Sequence, residues 1–159
     1  MAKILKQGDI APDFNLRVTP DQELSLKDLK GKNVILCFYP ADWSPVCTDE
    51  VNVFNELLDE FKKHDATLVG ISVDGPWCHA AFAKQSNFHF PLLSDFEPKG
   101  EIAKKYGVYN EQMGVCERAL FVIGKDGKIV WSYLSPMSEN PGAEGILDAL
   151  DSLEMKKAA

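Results

Sequence analysis

Arginine is scarce in this sequence: Arg17 and Arg118 are the only two among 17 basic residues, set against 24 acids and a formal charge of −7. No basic stripe exists to displace counterions, which excludes a nucleic-acid or anionic-membrane partner. Long apolar runs are absent too, and nothing approaches the ~20 residues that a membrane helix needs. The opening Met1-Ala-Lys-Ile-Leu-Lys6 has no apolar segment of an export signal, so no membrane association and a cytoplasmic location are expected. Cysteine is sparse, with Cys37, Cys47, Cys78 and Cys116 scattered singly through 159 residues. In such a chain they are expected as reduced thiols rather than staples. Cys78, His79 and Cys116 lack the close paired spacing of a zinc site. Repeats, low-complexity tracts and linkers are also missing. Residues 1–159 are expected to form a single domain, of a size that buries ~70% of its unfolded surface.

What is present alternates between strand and helix patterns. Residues 8–14 read as a loop fixing the amino end, followed by a weak strand at 14–18 and a turn at 19–22. Ser25-Leu-Lys-Asp28 fits a short capped helical turn closed by Gly31. Residues 34–39 are apolar on both faces, as a central strand covered by helices would be. From Pro45 to Lys63, the residues Val51, Phe54, Leu57, Leu58 and Phe61 recur at helical spacing. A second apolar strand at 67–73 completes a right-handed parallel βαβ unit. Asp74-Gly-Pro76 opens a helix to about Lys84 with Trp77, Cys78, Ala81 and Phe82 inward. Residues 91–94 read as a short edge segment, and 98–106 as a helix stopped by Gly107. Strands at 119–123 and 129–134 form a hairpin around Asp126-Gly127. Asn140-Pro141 caps a last helix that turns Ile146, Leu147, Leu150 and Leu153 to the core. His64, His79 and His89 are expected at the surface or in loops. The class is α/β, a central mixed sheet flanked by helices.

One thiol stands where the strand at 34–39 hands over to a helix. Ser44 before Pro45 is a helix start: the hydroxyl accepts from orphan N–H groups, and proline loses nothing at the first helical position. Cys47 falls three residues later, where a capping box carries an acid. A sulfur there lies among unpaired N–H groups at the positive end of the helix dipole, which favours the thiolate. A free thiol has a pKa of ~8.5, and such surroundings lower it. Asp42, Asp49 and Glu50 oppose that ionisation, so a cation is required. Arg118, at the mouth of the strand at 119–123, is the candidate. Its planar fork can hold a thiolate and a small oxyanion together, although spacing alone fits an ordinary surface arginine equally well.

Pro40-x-x-x-Ser44-x-x-Cys47 resembles the active-site signature of the peroxiredoxins, thiol peroxidases on a thioredoxin-like fold. The opening at 8–14, Ser72-Val-Asp74 before a helix, Phe90-Pro-Leu-Leu-Ser94-Asp95 and Arg118 before the hairpin extend the resemblance over most of the chain. It implies Cys47 as the peroxidatic cysteine and Arg118 as the activating arginine. Ser44 would hydrogen-bond sulfur and peroxide, Pro40 shield the sulfur from water, and Glu50 orient the arginine. Cys47 would attack the nearer oxygen of hydrogen peroxide or an alkyl hydroperoxide, leaving water or an alcohol and a sulfenic acid for a thiol to reduce. The implied role is antioxidant defence without a cofactor. The implied partners are the hydroperoxide, an external thiol reductant or thioredoxin-type protein, and a second copy in a homodimer.

The pattern is most similar to the one-cysteine, alkyl hydroperoxide reductase E-like type. Residues 153–159 carry no resolving cysteine, and the helix position that another branch uses aligns with Ala83. An external thiol is therefore expected to resolve the sulfenic acid, with Cys78 as the internal candidate. Cys78 also pairs with Phe82 at helical spacing and reads equally as core. Cys116, two residues before Arg118, is expected near the site, and Cys37 as a small hydrophobe within a buried strand. Two readings from other classes stand beside this one. A thioredoxin-like disulfide exchanger would need a cysteine where Ser44 stands. The other is a monothiol redox or holdase module without peroxidase turnover.

Overall fold

A computed structural model describes residues 3–158; Met1, Ala2 and Ala159, the outermost residues of the two terminal stretches read above, lie outside it. A hairpin of β1 (Asn15–Thr19) and β2 (Gln22–Ser25) leads through a short 3-10 turn to β3 (Asn33–Phe38). Helices α1 (Pro45–Glu56) and α2 (Leu58–Lys63) carry the chain to β4 (Ala66–Ser72). Then follow α3 (Pro76–Ser86), β5 (Leu92–Ser94) and α4 (Glu101–Lys105). A small ladder of β6 (Tyr109–Asn110) and β7 (Val115–Cys116) precedes the hairpin β8 (Arg118–Ile123) and β9 (Ile129–Ser135), and α5 (Glu144–Ala158) closes the chain.

Seven strands form one mixed sheet in the order β2-β1-β5-β4-β3-β8-β9. β3 lies near its middle, parallel to β4 and antiparallel to β8. Every residue of β3 is buried, because an apolar run without alternation needs cover on both faces. Its side chains still divide by the period of two. Ile35 and Cys37 join Cys47, Val51 and Phe54 of α1 and Ile146 and Leu150 of α5 in one layer. Val34, Leu36 and Phe38 meet Ile102, Ala103 and Tyr106 in the other. Among the described residues no helix is long and apolar enough to cross a membrane.

Five local expectations change. Residues 91–94 are not an edge: β1 pairs with β5 through Arg17 and Ser94, and β2, a short and largely exposed strand, takes the rim. The helix expected over 45–63 is two, because the Leu57 N–H bonds to the Phe54 carbonyl at 3.0 Å, a three-residue step that tightens the turn. α3 turns His79 and Phe82 inward, while Trp77 is 76% exposed and Ala81 lies on the same outer side. α4 covers only Glu101–Lys105, with Tyr106 as its cap. α5 starts at Glu144; Asn140 accepts instead from the Gly142 N–H at 3.0 Å, closing a local turn as asparagine side chains do.

Candidate active site

Between β3 and α1 the chain passes through Trp43 with φ 73, a left-handed conformation that costs a residue with a Cβ ~1–3 kcal/mol. Neighbouring bonds hold it there. The Asp42 carboxylate accepts from Tyr39 Oη at 2.6 Å and lies 2.7 Å from His79 Nδ1. The Asp42 backbone N–H donates to Asp74 Oδ2 at 2.9 Å. His79 Nε2 lies 3.0 Å from the Leu93 carbonyl, so both ring nitrogens face oxygen acceptors. Tyr39, Asp42 and His79 are all buried. His79 is thus a strut between the loop, α3 and β5 rather than a surface residue. Its spacing of three from Phe82 was the available signal, since that spacing puts both on one helical face.

The start of α1 follows from its residues. Ser44 Oγ accepts the Cys47 N–H at 3.2 Å, and Pro45 fills the first helical position. The Cys47 side chain is wholly buried. Opposite it, β8 begins at Arg118. Leu120 and Val122 point into the α1 layer, and the strand period places Arg118 on the same side. Arg118 Nη1 donates to both Cys47 Sγ at 3.3 Å and Glu50 Oε1 at 2.9 Å. Nε and Nη2 donate to the Met137 carbonyl at 3.0 and 2.8 Å. Three acceptors, two from α1 and one from the segment after β9, fix the guanidinium.

The electrostatics are those of charges removed from water. Burial pushes the Glu50 carboxyl up to about 7, against the downward pull of Arg118. Burial pulls the Arg118 cation down, but the Cys47 sulfur and Glu50 more than offset it, and the result is a raised value. The acids that flank Cys47 in sequence are each answered. Asp42 turns to Tyr39 and His79, Glu50 pairs with Arg118, and Asp49 is exposed.

Pro40, half-buried, stands two residues beyond β3. Cys78, also half-buried, opens α3 beside Asp42 and Asp74, their ligand atoms within 4.8 Å of one another. Burial, and then Asp42 and Asp74, push its thiol up to about 11. Cys116 is not brought to the site. It pairs with Tyr109 in the small ladder and packs in the layer opposite Cys47, so two residues of separation from Arg118 span the sheet. Cys37 is core as expected, and burial followed by the charges of Glu50 and Cys47 raises its thiol far above the ordinary range. A cavity of about 590 Å³ beside His64, Lys125 and Glu154 includes none of these residues.

Known proteins share this fold. The model of the AhpC/TSA family matches residues 7–132. Alkyl hydroperoxide reductase E of Mycobacterium tuberculosis is 38% identical over 151 residues, covering 94% of this chain and 99% of the relative. The crystal structure of Peroxidoxin BcpB from Mycobacterium tuberculosis superposes with a TM-score of 0.85 at 35% identity, over 94% of this chain and 98% of that one. The reduced 2-Cys Peroxiredoxin of Plasmodium vivax gives a TM-score of 0.88 at 28% identity, over 97% and 84%. The chain belongs to the AhpC/TSA family, and with it to the peroxiredoxins, thiol-dependent peroxidases on a thioredoxin-like fold. Within that class it is similar to the alkyl hydroperoxide reductase E type.

Proposed function

We propose that Cys47 is the peroxidatic nucleophile, that Arg118 and Ser44 hold the reacting peroxide, that Glu50 orients the arginine, and that Pro40 screens the sulfur from water. The observation that supports this most directly is the single Nη1 shared by Cys47 Sγ at 3.3 Å and Glu50 Oε1 at 2.9 Å. A guanidinium already seated needs no reorganisation when negative charge moves beside it. The thiolate attacks one oxygen of hydrogen peroxide or an alkyl hydroperoxide, and the S–O bond forms as the O–O bond breaks. The attacked oxygen keeps its hydrogen as the sulfenic acid. The departing hydroxide or alkoxide takes a proton from water, its growing charge met by Arg118, Ser44 and the positive end of the α1 dipole.

An external thiol or a thioredoxin-type protein then reduces the sulfenic acid. The internal candidate, Cys78, is a poor one, since its thiol is pushed up to about 11 by burial and by Asp42 and Asp74, and exchange proceeds through a thiolate. The rest of the reading is that the whole chain works as one domain, as a homodimer and in the cytoplasm. Purified protein without reductant is expected to consume one equivalent of peroxide, and Cys47→Ser none. A burst retained in Cys47→Ser would overturn the assignment.

A further inference from the structure

One face of α3 grips the turn that leads to Cys47. His79 and Phe82, three residues apart, are buried on the same side of the helix. His79 Nδ1 lies 2.7 Å from Asp42 Oδ2, and the Phe82 ring packs on that of Trp43 with 5.1 Å between centroids. The helix thus holds two consecutive residues, and the next is Ser44, whose Oγ accepts the Cys47 N–H. Within the turn itself the backbone has one long bond, from the Ser44 N–H to the Ala41 carbonyl at 3.5 Å, and Trp43 sits at φ 73. The His79 side chain is 1% exposed and that of Asp42 wholly buried. The Leu93 carbonyl beside Nε2 can only accept, so that nitrogen carries a hydrogen and Nδ1 is left to the carboxylate.

We propose that His79 is a positioning residue for peroxidation: through its bond to the Asp42 carboxylate it fixes the turn at Trp43, and with it the place of Ser44 and Cys47 against Arg118. The inference rests on the roles given above to Cys47, Ser44 and Arg118. It separates His79 from a strut that only adds stability, because its two bonds end in different places. The bond to Leu93 joins α3 to β5, which β4 separates from β3. The bond to Asp42 ends two residues before the cap of α1. Only the second governs the rate.

The test compares His79→Asn, His79→Gln and His79→Leu, each confirmed as folded by its melting transition. An asparagine amide takes the place of Nδ1 and keeps a donor toward Asp42, whereas a glutamine amide reaches the place of Nε2 and keeps only the link to Leu93. Two rates are followed at Cys47 by peptide mapping. Oxidation by hydrogen peroxide needs the sulfur aligned with Arg118 and Ser44; alkylation by iodoacetamide needs the thiolate but no clamp on an anion. The glutamine and leucine variants are expected to slow oxidation by about 10–100-fold, the cost of misplacing a reacting group by about 1 Å, with alkylation changed by less than about threefold. The asparagine variant is expected to recover most of the oxidation rate. A role confined to stability predicts lower melting temperatures with both rates intact, and a role through β5 predicts glutamine above asparagine. Either result, or an equal fall in both rates, would overturn the proposal. If the leucine variant does not fold, the asparagine and glutamine variants decide the matter alone. The bond is also approached from its other end. Asp42→Ala is expected to slow oxidation at least as much as His79→Leu, and the double variant to lose no more than Asp42→Ala alone, as residues acting through one bond do. Losses that multiply would mean independent action and count against it. Peroxide consumption surviving in Cys47→Ser would instead remove the reading on which the proposal rests.

Discussion

The proposed chemistry turns on one guanidinium with three acceptors. Lysine carries the charge of Arg118 but not its fork, and cannot hold Cys47, Glu50 and the Met137 carbonyl together. Arg118→Lys is therefore expected to slow Cys47 oxidation by about 10²–10³-fold, the usual cost of losing a preorganised donor to developing charge; stopped-flow fluorescence would measure it. Glu50 adds a pH dependence. Its carboxyl is pushed up to about 7 by burial, and in its ionised form it grips the arginine through a charge-assisted bond. The oxidation rate of the wild type is expected to rise with pH through an inflection near that value. Glu50→Gln is expected to lose the inflection and to run about tenfold slower, one weakened hydrogen bond being worth about 1.4 kcal/mol. At this scale the places of Ser44 and Cys47 were legible, because a helix start is a local pattern, whereas spacing alone left Arg118 equally an ordinary surface arginine and only the family resemblance pointed to it. The pairing of Asp42 with His79 was not. It joins residues 37 positions apart, and a histidine with both nitrogens satisfied can be buried where its polarity alone places it outside.

Among elements, the start of α1 and the mouth of β8 bring Cys47, Glu50 and Arg118 together. Ser44→Ala removes the acceptor of the Cys47 N–H. It is expected to cost about 1 kcal/mol of stability, read as a lower denaturant midpoint, together with a slower oxidation step. Gly107 offers the complementary test, since it follows α4 with φ +75 and a Cβ there would run into the Lys3 carbonyl. Gly107→Ala is expected to destabilise the fold by about 2 kcal/mol or more. Activity per folded molecule should survive, because α4 packs in the layer opposite Cys47. A loss of both in proportion would place the site's support in that layer instead. The elements that sequence disclosed were those with a strong period: the βαβ unit, the hairpin β8–β9 and the helical face through Phe54 and Phe61. Those that it obscured were decided by partners far away. β5, three residues long, is interior only because β1 lies against it, and no apolar period marks β2. The inward face of α3 was misjudged because Trp77 and Ala81 outrank His79 in hydrophobicity, while the acceptors awaiting His79 come from the β3–α1 loop and β5.

For the molecule as a whole, the same buried carboxyl links function to stability. A folded-state value near 7 against an ordinary value of ~4.3 for glutamate means that the native state holds its proton more tightly than the unfolded chain. The contribution is fully present below the unfolded value and is lost as pH rises through the folded one. At about 1.4 kcal/mol per pH unit, the native state is expected to lose about 3 kcal/mol between roughly pH 4.5 and 7.5 from this group. Urea midpoints measured across that window should flatten in Glu50→Gln. The central claim, that Cys47 alone is the atom oxidised and that its product awaits an outside thiol, is tested most directly by intact mass and peptide mapping after one equivalent of hydrogen peroxide without reductant. One added oxygen, confined to Cys47 and removed by a small thiol, is the predicted result. Oxygen on another cysteine, or the loss of two hydrogens to a disulfide within the chain, would contradict it.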